Sequence, residues 1–138
     1  MQGYQAYKQS TISNWTRIDM LLAIYDGTLA SLDAGIDALN RGDQAAFARH
    51  QIKTTRLLIL LLDGVNPDGS EVARNVRDLC VYCVEQVTTP VVEQWVHARD
   101  ILATLQEGFA GIREEAIQLE ANGEFPELTQ TTGQTVWL

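Results

Sequence analysis

Apolar residues recur along most of the chain at the three- and four-residue spacing of amphipathic helices. The first periodic segment runs from about Thr16 to Arg41. Its apolar positions form one stripe: Ile18, Leu21, Leu22, Tyr25, Leu29, Leu32, Ile36 and Leu39. A stripe of this kind is what a helix buries against a core. With Thr16 as N-cap and Gly42 marking the end, we predict a helix over residues 16–41.

The same helix carries two further rows of residues. Small or apolar positions form a second strip roughly opposite the main stripe: Met20, Ile24, Gly27, Ser31 and Ala38. Carboxylates form a row beside the main stripe, which we interpret as a solvated face: Asp19, Asp26, Asp33 and Asp37. This helix can therefore contact neighbours on two sides.

Three more helices are predicted over residues 43–62, 70–87 and 90–121. The second has the apolar face Ala48, Ile52, Thr55, Leu58, Ile59 and Leu62, whereas Leu57, Leu60 and Leu61 point elsewhere. The third has the stripe Val72, Val76, Leu79, Cys80, Cys83 and Val87. The fourth has an unbroken seam: Val91, Trp95, Ala98, Leu102, Leu105, Phe109, Ile112, Ala116 and Leu119.

The fold class that these patterns predict is all-α. A seam with alternating steps of four and three residues is typical of helices packed at shallow angles, and short connections place successive helices antiparallel. We predict one antiparallel four-helix bundle over residues 1–121, which begins with a short N-terminal segment. Residues 122–138 are expected to form a mobile C-terminal tail.

The charge of the chain argues against several classes of partner. The formal net charge is −8 and the estimated pI is 4.6, which disfavours binding to nucleic acid and to anionic membranes. The strongly apolar run Leu57–Leu62 is too short to span a bilayer, and the polar first residues do not resemble a secretory signal. A cytoplasmic protein is expected.

Sites for catalysis or metal binding find little support in the sequence. Cys80 and Cys83 have the spacing of a redox or metal pair, but they fall on a buried stripe without further ligands, so we interpret them as core residues. His50 and His97 lack neighbouring ligands and are expected at or near the surface. Gly108 and Gly111, inside the fourth helix, are expected to allow a close approach of another group.

What remains is more apolar surface than one stripe per helix can bury. It comprises the second strip of the first helix together with Leu57, Leu60, Leu61, Val81 and Tyr82. Close wrapping of the helices or dimerisation would cover it, and so would an amphipathic helix of a client protein. The pattern alone leaves both explanations open.

Two stretches resemble the FliS-type flagellar export chaperones. TRIDMLLAIYDG, from Thr16 to Gly27, is similar to the family's "ELLxxLYDG" block, and GSEVARNV, from Gly69 to Val76, is similar to its "GGEIAxNL" block. The likeness covers about Tyr4 to Glu115. Departures include Thr16-Arg17 in place of Ser-Pro, Cys80 in place of Tyr and Phe109 in place of Trp.

The resemblance implies a cytosolic chaperone without cofactor or catalysis. Such a chaperone binds the C-terminal segment of flagellin, prevents early polymerisation and delivers flagellin to the export apparatus, where gate components are further partners. The residues expected to bind partners are Tyr4, Tyr7, Met20, Ile24, Gly27, Leu57, Leu60, Leu61, Arg74, Asn75 and Tyr82. The alternative is a homo-oligomeric structural or adaptor protein that uses the same apolar strip as a permanent interface.

Overall fold

The computed structural model describes residues 16–66 and 68–123, and all regular secondary structure in these ranges is helical. Within them, the helices are α1 (Arg17–Arg41), α2 (Gln44–Asp63), α3 (Glu71–Gln86), α4 (Val92–Gly111) and α5 (Arg113–Ala121). The all-α prediction is thus confirmed for the described residues. The bounds predicted for α1, α2 and α3 differ from the observed ones by at most one residue.

Side-chain caps explain where the first three helices begin. The Thr16 hydroxyl accepts a hydrogen bond from the Asp19 N–H at 3.3 Å, and Asp43 accepts one from the Ala46 N–H at 3.0 Å. The Ser70 hydroxyl accepts one from Ala73 at 3.1 Å. Each cap satisfies an N–H that has no partner within its own helix. At the far end of α1, Gly42 adopts the left-handed conformation with φ 70°.

The prediction of a single fourth helix over residues 90–121 was wrong in one respect, because the structure divides this segment into α4 and α5. The break lies at Ile112, whose φ of −104° and ψ of 10° leave the helical region and whose N–H bonds the Phe109 carbonyl at 3.2 Å. Gly108 and Gly111 precede it, and glycine lowers helix stability by about 1 kcal/mol relative to alanine. Among residues 16–66 and 68–123, a Cβ at either glycine would meet nothing within 4 Å, so the predicted close approach is absent there.

The helices pack around α1, which contacts α2, α4 and α5, while α3 contacts α2 and α4. The acidic row of α1 lies along α4 and α5. Asp33 pairs with Arg99 at 2.5 Å, Asp26 accepts from Gln106 at 3.4 Å and Asp19 pairs with Arg113 at 2.7 Å. Because the residue numbers fall along α1 while they rise along α4 and α5, these elements run in opposite directions. The row is therefore not only a solvated face, as predicted, but also a set of inter-helix contacts.

The predicted buried face of α2 was confirmed at Leu58 but was wrong at Ala48, Ile52 and Ile59. The helix buries Ala46, Phe47, Thr54, Leu58 and Leu61, whereas Ile52 and Ile59 are exposed. Two contacts determine this orientation. The Phe47 ring packs on Trp95 with centroids 5.0 Å apart, and the Thr54 hydroxyl lies 2.7 Å from the Ser31 hydroxyl. Because Thr54 is polar, the pattern of apolar residues in the sequence does not reveal this buried stripe.

Candidate functional site

One side of α3 exposes a row of residues with the spacing of a helix face. Val72, Leu79 and Tyr82 expose 58%, 37% and 36% of their surface, and Asn75 is exposed as well. Steps of three, four and three residues place all four on the same side of the helix. We call Val72, Asn75, Leu79 and Tyr82 the α3 face.

The sequence pattern misassigned two residues of the α3 face. Val72 and Leu79 were predicted in the buried stripe, but α3 buries Ala73, Val76, Cys80 and Cys83. Ala73 was absent from the predicted stripe. Because a small residue buries little area, its place in the core is hard to recognise from hydrophobicity. The second apolar spacing on α3, with Val72 and Leu79 seven residues apart, is the signal that could have identified the exposed row.

The ring of Tyr82 is oriented by α4. Its hydroxyl oxygen lies 3.2 Å from Nδ1 of His97, and the two rings meet edge to face with centroids 5.4 Å apart. His97 is exposed, as the sequence predicted, and His50 is half-buried. The contact extends the α3 face onto α4 and fixes an aromatic side chain at its end. A pre-oriented aromatic ring of this kind is a suitable anchor for a partner, since little side-chain entropy remains to be lost.

A second group of predicted residues lies where α1 meets α2. Met20, Ile24, Gly27 and Leu57 are half-buried, and a Cβ at Gly27 would lie 4.0 Å from Cδ1 of Leu57. We call these four residues the α1–α2 seam. The remainder of the second strip of α1 is already covered within the chain, because Ser31 and Ala38 are buried. The seam therefore offers a partner less surface than the sequence predicted.

The other predicted partner-binding residues divide further. Leu60 is exposed, but Leu61 exposes only 1% of its surface and belongs to the core, so its assignment to the surplus surface was wrong. It follows Leu58 by three residues and therefore shares the buried side of α2. Arg74 is exposed beside the α3 face. Tyr4 and Tyr7 lie outside the described residues.

The structure thus separates the predicted residues into two groups rather than one groove. Asn75 and Tyr82 lie on α3 next to α4, whereas Met20, Ile24, Gly27 and Leu57 lie between α1 and α2. The two groups therefore belong to different pairs of helices, and among the described residues no hydrogen bond, ion pair or ring contact joins one group directly to the other.

The buried thiols are chemically quiet, as expected of core residues. Cys80 and Cys83 are fully buried, and burial raises the pKa of Cys80 to about 11 and that of Cys83 to about 12. The Cys83 thiol points at the Ala98 carbonyl at 3.7 Å. Because the thiolate is the reactive form, neither residue is a nucleophile near neutral pH. Within residues 16–66 and 68–123, no group of three or more His, Cys, Asp or Glu side chains could hold a metal ion.

A pocket of about 520 Å³ lies where α1 ends, α2 begins and α3 leads into α4. Leu39, Phe47, Gln51 and Pro90 contribute to its lining. The Gln51 amide is already engaged, because Nε2 donates to the Val87 carbonyl at 2.8 Å and to the Thr88 carbonyl at 3.3 Å. These bonds tie α2 to the end of α3, so we interpret the polar part of this pocket as structural.

Comparison with known proteins gives one result that covers most of the chain. A family model described as "Flagellar protein FliS" matches residues 1–116, which include α1 to α4 and the start of α5. No curated protein is significantly similar to the chain. None of the helices in the described ranges is long and apolar enough to span a membrane. Since the family model accounts for more than half of the sequence, the chain belongs to the FliS family of flagellar export chaperones.

Proposed function

We propose that this chain binds the C-terminal segment of flagellin in the cytoplasm, prevents its premature polymerisation and delivers it to the flagellar export apparatus. The role involves holding a client and no catalysis. Membership of the FliS family supports it. The structural observation that carries it is the α3 face, an exposed row of apolar side chains on a helix whose other side is buried.

The α3 face has the spacing that an amphipathic helix or an apolar extended segment can match. Val72 and Leu79 supply aliphatic surface, and Tyr82 supplies an oriented ring. Removing apolar surface from water contributes about 25 cal/mol per Å². Asn75 supplies an amide that can bond the backbone of the client. The proposed interface is therefore an apolar row with one polar position, as in other helix-in-groove complexes.

The α1–α2 seam is the proposed second contact of the same client. Because the seam and the α3 face lie on different pairs of helices, the client has to wrap around the protein in a partly extended form. Ordering a flexible segment in this way costs free energy, about 2–5 kcal/mol or more, so a large total contact is needed. Two separate apolar surfaces supply more contact than one.

We also propose the domain bounds and the helix arrangement that the sequence predicted. Residues 1–121 form one domain, followed by a tail over residues 122–138, and the four long helices form an antiparallel bundle. The pairs of contacting helices support this arrangement, as does the opposite direction of α1 and α4. A bundle of this kind presents its helix faces as fixed surfaces to a client.

Filament assembly tests the proposed function. Purified flagellin is induced to polymerise with and without an equimolar amount of the chain, and filaments are measured by sedimentation. We expect the wild-type chain to suppress assembly, because the bound C-terminal segment cannot join a filament. Undiminished assembly at equimolar chain would contradict the proposal.

Two variants show whether the α3 face is responsible. Leu79→Asp places a charge on the face and should weaken suppression at least about ten-fold, since desolvating a charge in an apolar contact is costly. Val96→Asp is the matched control, because Val96 on α4 has the same 37% exposure as Leu79 and lies outside both proposed surfaces. An equal loss of suppression of filament assembly in both variants would exclude a specific role for the α3 face. Circular dichroism confirms that each variant is folded.

A further inference from the structure

The side of α2 opposite its buried residues combines exposed isoleucines with cations. Ile52 and Ile59 expose 53% and 46% of their surface, and Arg49, Lys53 and Arg56 are exposed too. Their spacing places all five on one side of the helix. We call these five residues the outer face of α2. They were not among the residues expected to bind flagellin.

The charge of this face differs from that of the whole chain. The chain has a net charge of −8, yet α2 carries three cations and a single carboxylate, Asp63, at its end. Among the described residues, the salt bridges are made by Arg41, Arg77, Arg99 and Arg113, and none by the cations of α2. An apolar row flanked by cations that form no salt bridge within the described residues fits a segment that is both apolar and acidic.

The chain itself contains such a segment beyond the described residues. Residues 124–138, EFPELTQTTGQTVWL, contain two carboxylates, Glu124 and Glu127, and no lysine or arginine. Their apolar side chains are Phe125, Leu128, Val136, Trp137 and Leu138. Both the charge and the apolar content of the segment complement the outer face of α2.

The position of the segment allows it to reach this face. Glu120, near the end of α5, accepts a hydrogen bond from the Arg17 N–H at 3.1 Å, so the described chain ends close to the beginning of α1. The contacts Gly27–Leu57 and Ser31–Thr54 show that α2 runs antiparallel to α1, so the end of α2 lies near the beginning of α1. Ile59 therefore lies about 12 Å from Arg17 along the axis of α1 and about two helix diameters from it across that axis. Fifteen residues span up to about 50 Å when extended.

We propose that residues 124–138 dock on the outer face of α2 of the same chain. Apolar side chains of the segment cover Ile52 and Ile59, and Glu124 or Glu127 pairs with Lys53 or Arg56. The contact shields an apolar surface that is otherwise open to water. It requires no client, so its test is independent of flagellin binding.

Carbodiimide coupling of the wild-type chain tests the contact. The reagent activates a carboxylate, which the Lys53 amine attacks to form an amide while the carbodiimide is converted to a urea. Lys8 is the only other lysine in the chain, so assignment is simple. We expect mass spectrometry of the digested protein to show Lys53 linked to Glu124 or Glu127. In an equal mixture of unlabelled and ¹⁵N-labelled chains, the two peptides of each linked pair should be both unlabelled or both ¹⁵N-labelled, because the link forms within one chain.

Variants distinguish docking from random encounter. Lys53→Arg keeps the charge and should abolish the link. Ile52→Ser combined with Ile59→Ser should lower the yield at least about five-fold while Lys53 remains. Four results would each overturn the proposal. The link could be absent from the wild type, or it could persist in Lys53→Arg. Linked pairs could combine an unlabelled with a labelled peptide, which indicates docking on a second copy, or the yield of the link could be unchanged in the double variant.

Fluorescence gives an independent measurement. Subtracting the emission of Trp137→Phe from that of the wild type isolates the contribution of Trp137. If the segment is docked, this emission lies at a shorter wavelength than that of a synthetic peptide with the sequence of residues 124–138. Identical emission would refute docking, whatever the cross-linking yield.

Discussion

Gly35 is the residue on which the packing of α1 against α4 depends most closely. It is buried in α1, and the indole of Trp95 lies so near that a Cβ would overlap the ring, with Cε3 and Cη2 at 2.9 Å. Trp95 is fully buried and cannot move aside easily, because its Nε1 donates to the Thr89 carbonyl at 3.0 Å. The glycine therefore allows the largest core side chain to contact the backbone of α1.

Replacing Gly35 with alanine should destabilise the protein by about 1–3 kcal/mol, the usual cost of overpacking a core. Gly27→Ala is the matched control on the same helix, since a Cβ there has 4.0 Å to the nearest side-chain atom. That change should raise stability by up to about 1 kcal/mol through helix propensity. Urea denaturation of both variants measures the difference. Similar free energies of unfolding would contradict the packing described here.

Because the thiols of Cys80 and Cys83 are buried, the free energy of unfolding should depend on pH in the alkaline range. Burial raises the pKa of Cys80 to about 11 and that of Cys83 to about 12, from about 9 for an accessible thiol. Below pH 9 both the folded and the unfolded chain keep these protons. Above pH 9 the unfolded chain loses them first, so the free energy of unfolding should fall as pH rises through this range. Tyr25, whose pKa burial also raises, adds to the fall above pH 10.

Urea denaturation between pH 8 and pH 10.5 measures this dependence. The double variant Cys80→Ala and Cys83→Ala removes two of these three buried groups and should show a shallower fall. In the folded wild type at pH 8, both thiols should resist a thiol reagent that labels the unfolded chain rapidly. Rapid labelling of the folded chain would mean that α3 is not packed as described.

At the scale of the elements, α5 is the least secured helix of the described chain. It has no fully buried residue and follows α4 after the break at Ile112. Polar contacts hold it to α1, among them the Arg113–Asp19 ion pair at 2.7 Å and the hydrogen bond from the Arg17 N–H to Glu120 at 3.1 Å. Its Ala116 and Ile117 are only partly buried against the core. Local unfolding should therefore begin at α5.

Arg113→Ala should accelerate amide hydrogen exchange several-fold over residues 113–121 without changing α3. Arg77→Ala is the control, since Arg77 pairs at 3.4 Å only with the adjacent exposed Asp78. The Arg113 hydrogen bond holds the pKa of Asp19 below its usual 3.8, so the wild-type contact persists at neutral pH and is lost as pH falls through that range. Exchange in α5 that is insensitive to Arg113→Ala would show that the ion pair does not hold the helix.

The elements also show how far the sequence predicts this structure. The bounds of α1, α2 and α3 follow from local signals, the caps Thr16, Asp43 and Ser70, which act within one turn of the chain. The inward side of α2 depends instead on distant partners, Ser31 for Thr54 and Trp95 for Phe47, and so could not be deduced from its own spacing. The sequence identified Asn75 and Tyr82 of the α3 face but misassigned Val72 and Leu79 for the same reason, because α3 carries two apolar rows and only its neighbours decide which row is buried.

At the scale of the whole molecule, three separate places among the described residues expose apolar surface to which a role is proposed. The α3 face and the α1–α2 seam are the proposed client contacts, and the outer face of α2 is assigned to residues 124–138. The acidic row of α1 is partly neutralised by Arg99 and Arg113. A client that wraps around such a surface gains affinity from apolar contact more than from charge. Binding should therefore depend only weakly on ionic strength.

The central claim is that the chain holds the C-terminal segment of flagellin, and calorimetric titration with that isolated segment tests it most directly. We predict saturable binding of one segment per chain with a Kd below about 10 µM, and a negative heat-capacity change from burial of apolar surface. The N-terminal segment of the same flagellin serves as the control and should not bind. Absence of binding by the C-terminal segment at about 100 µM, or equal binding of both segments, would contradict the account.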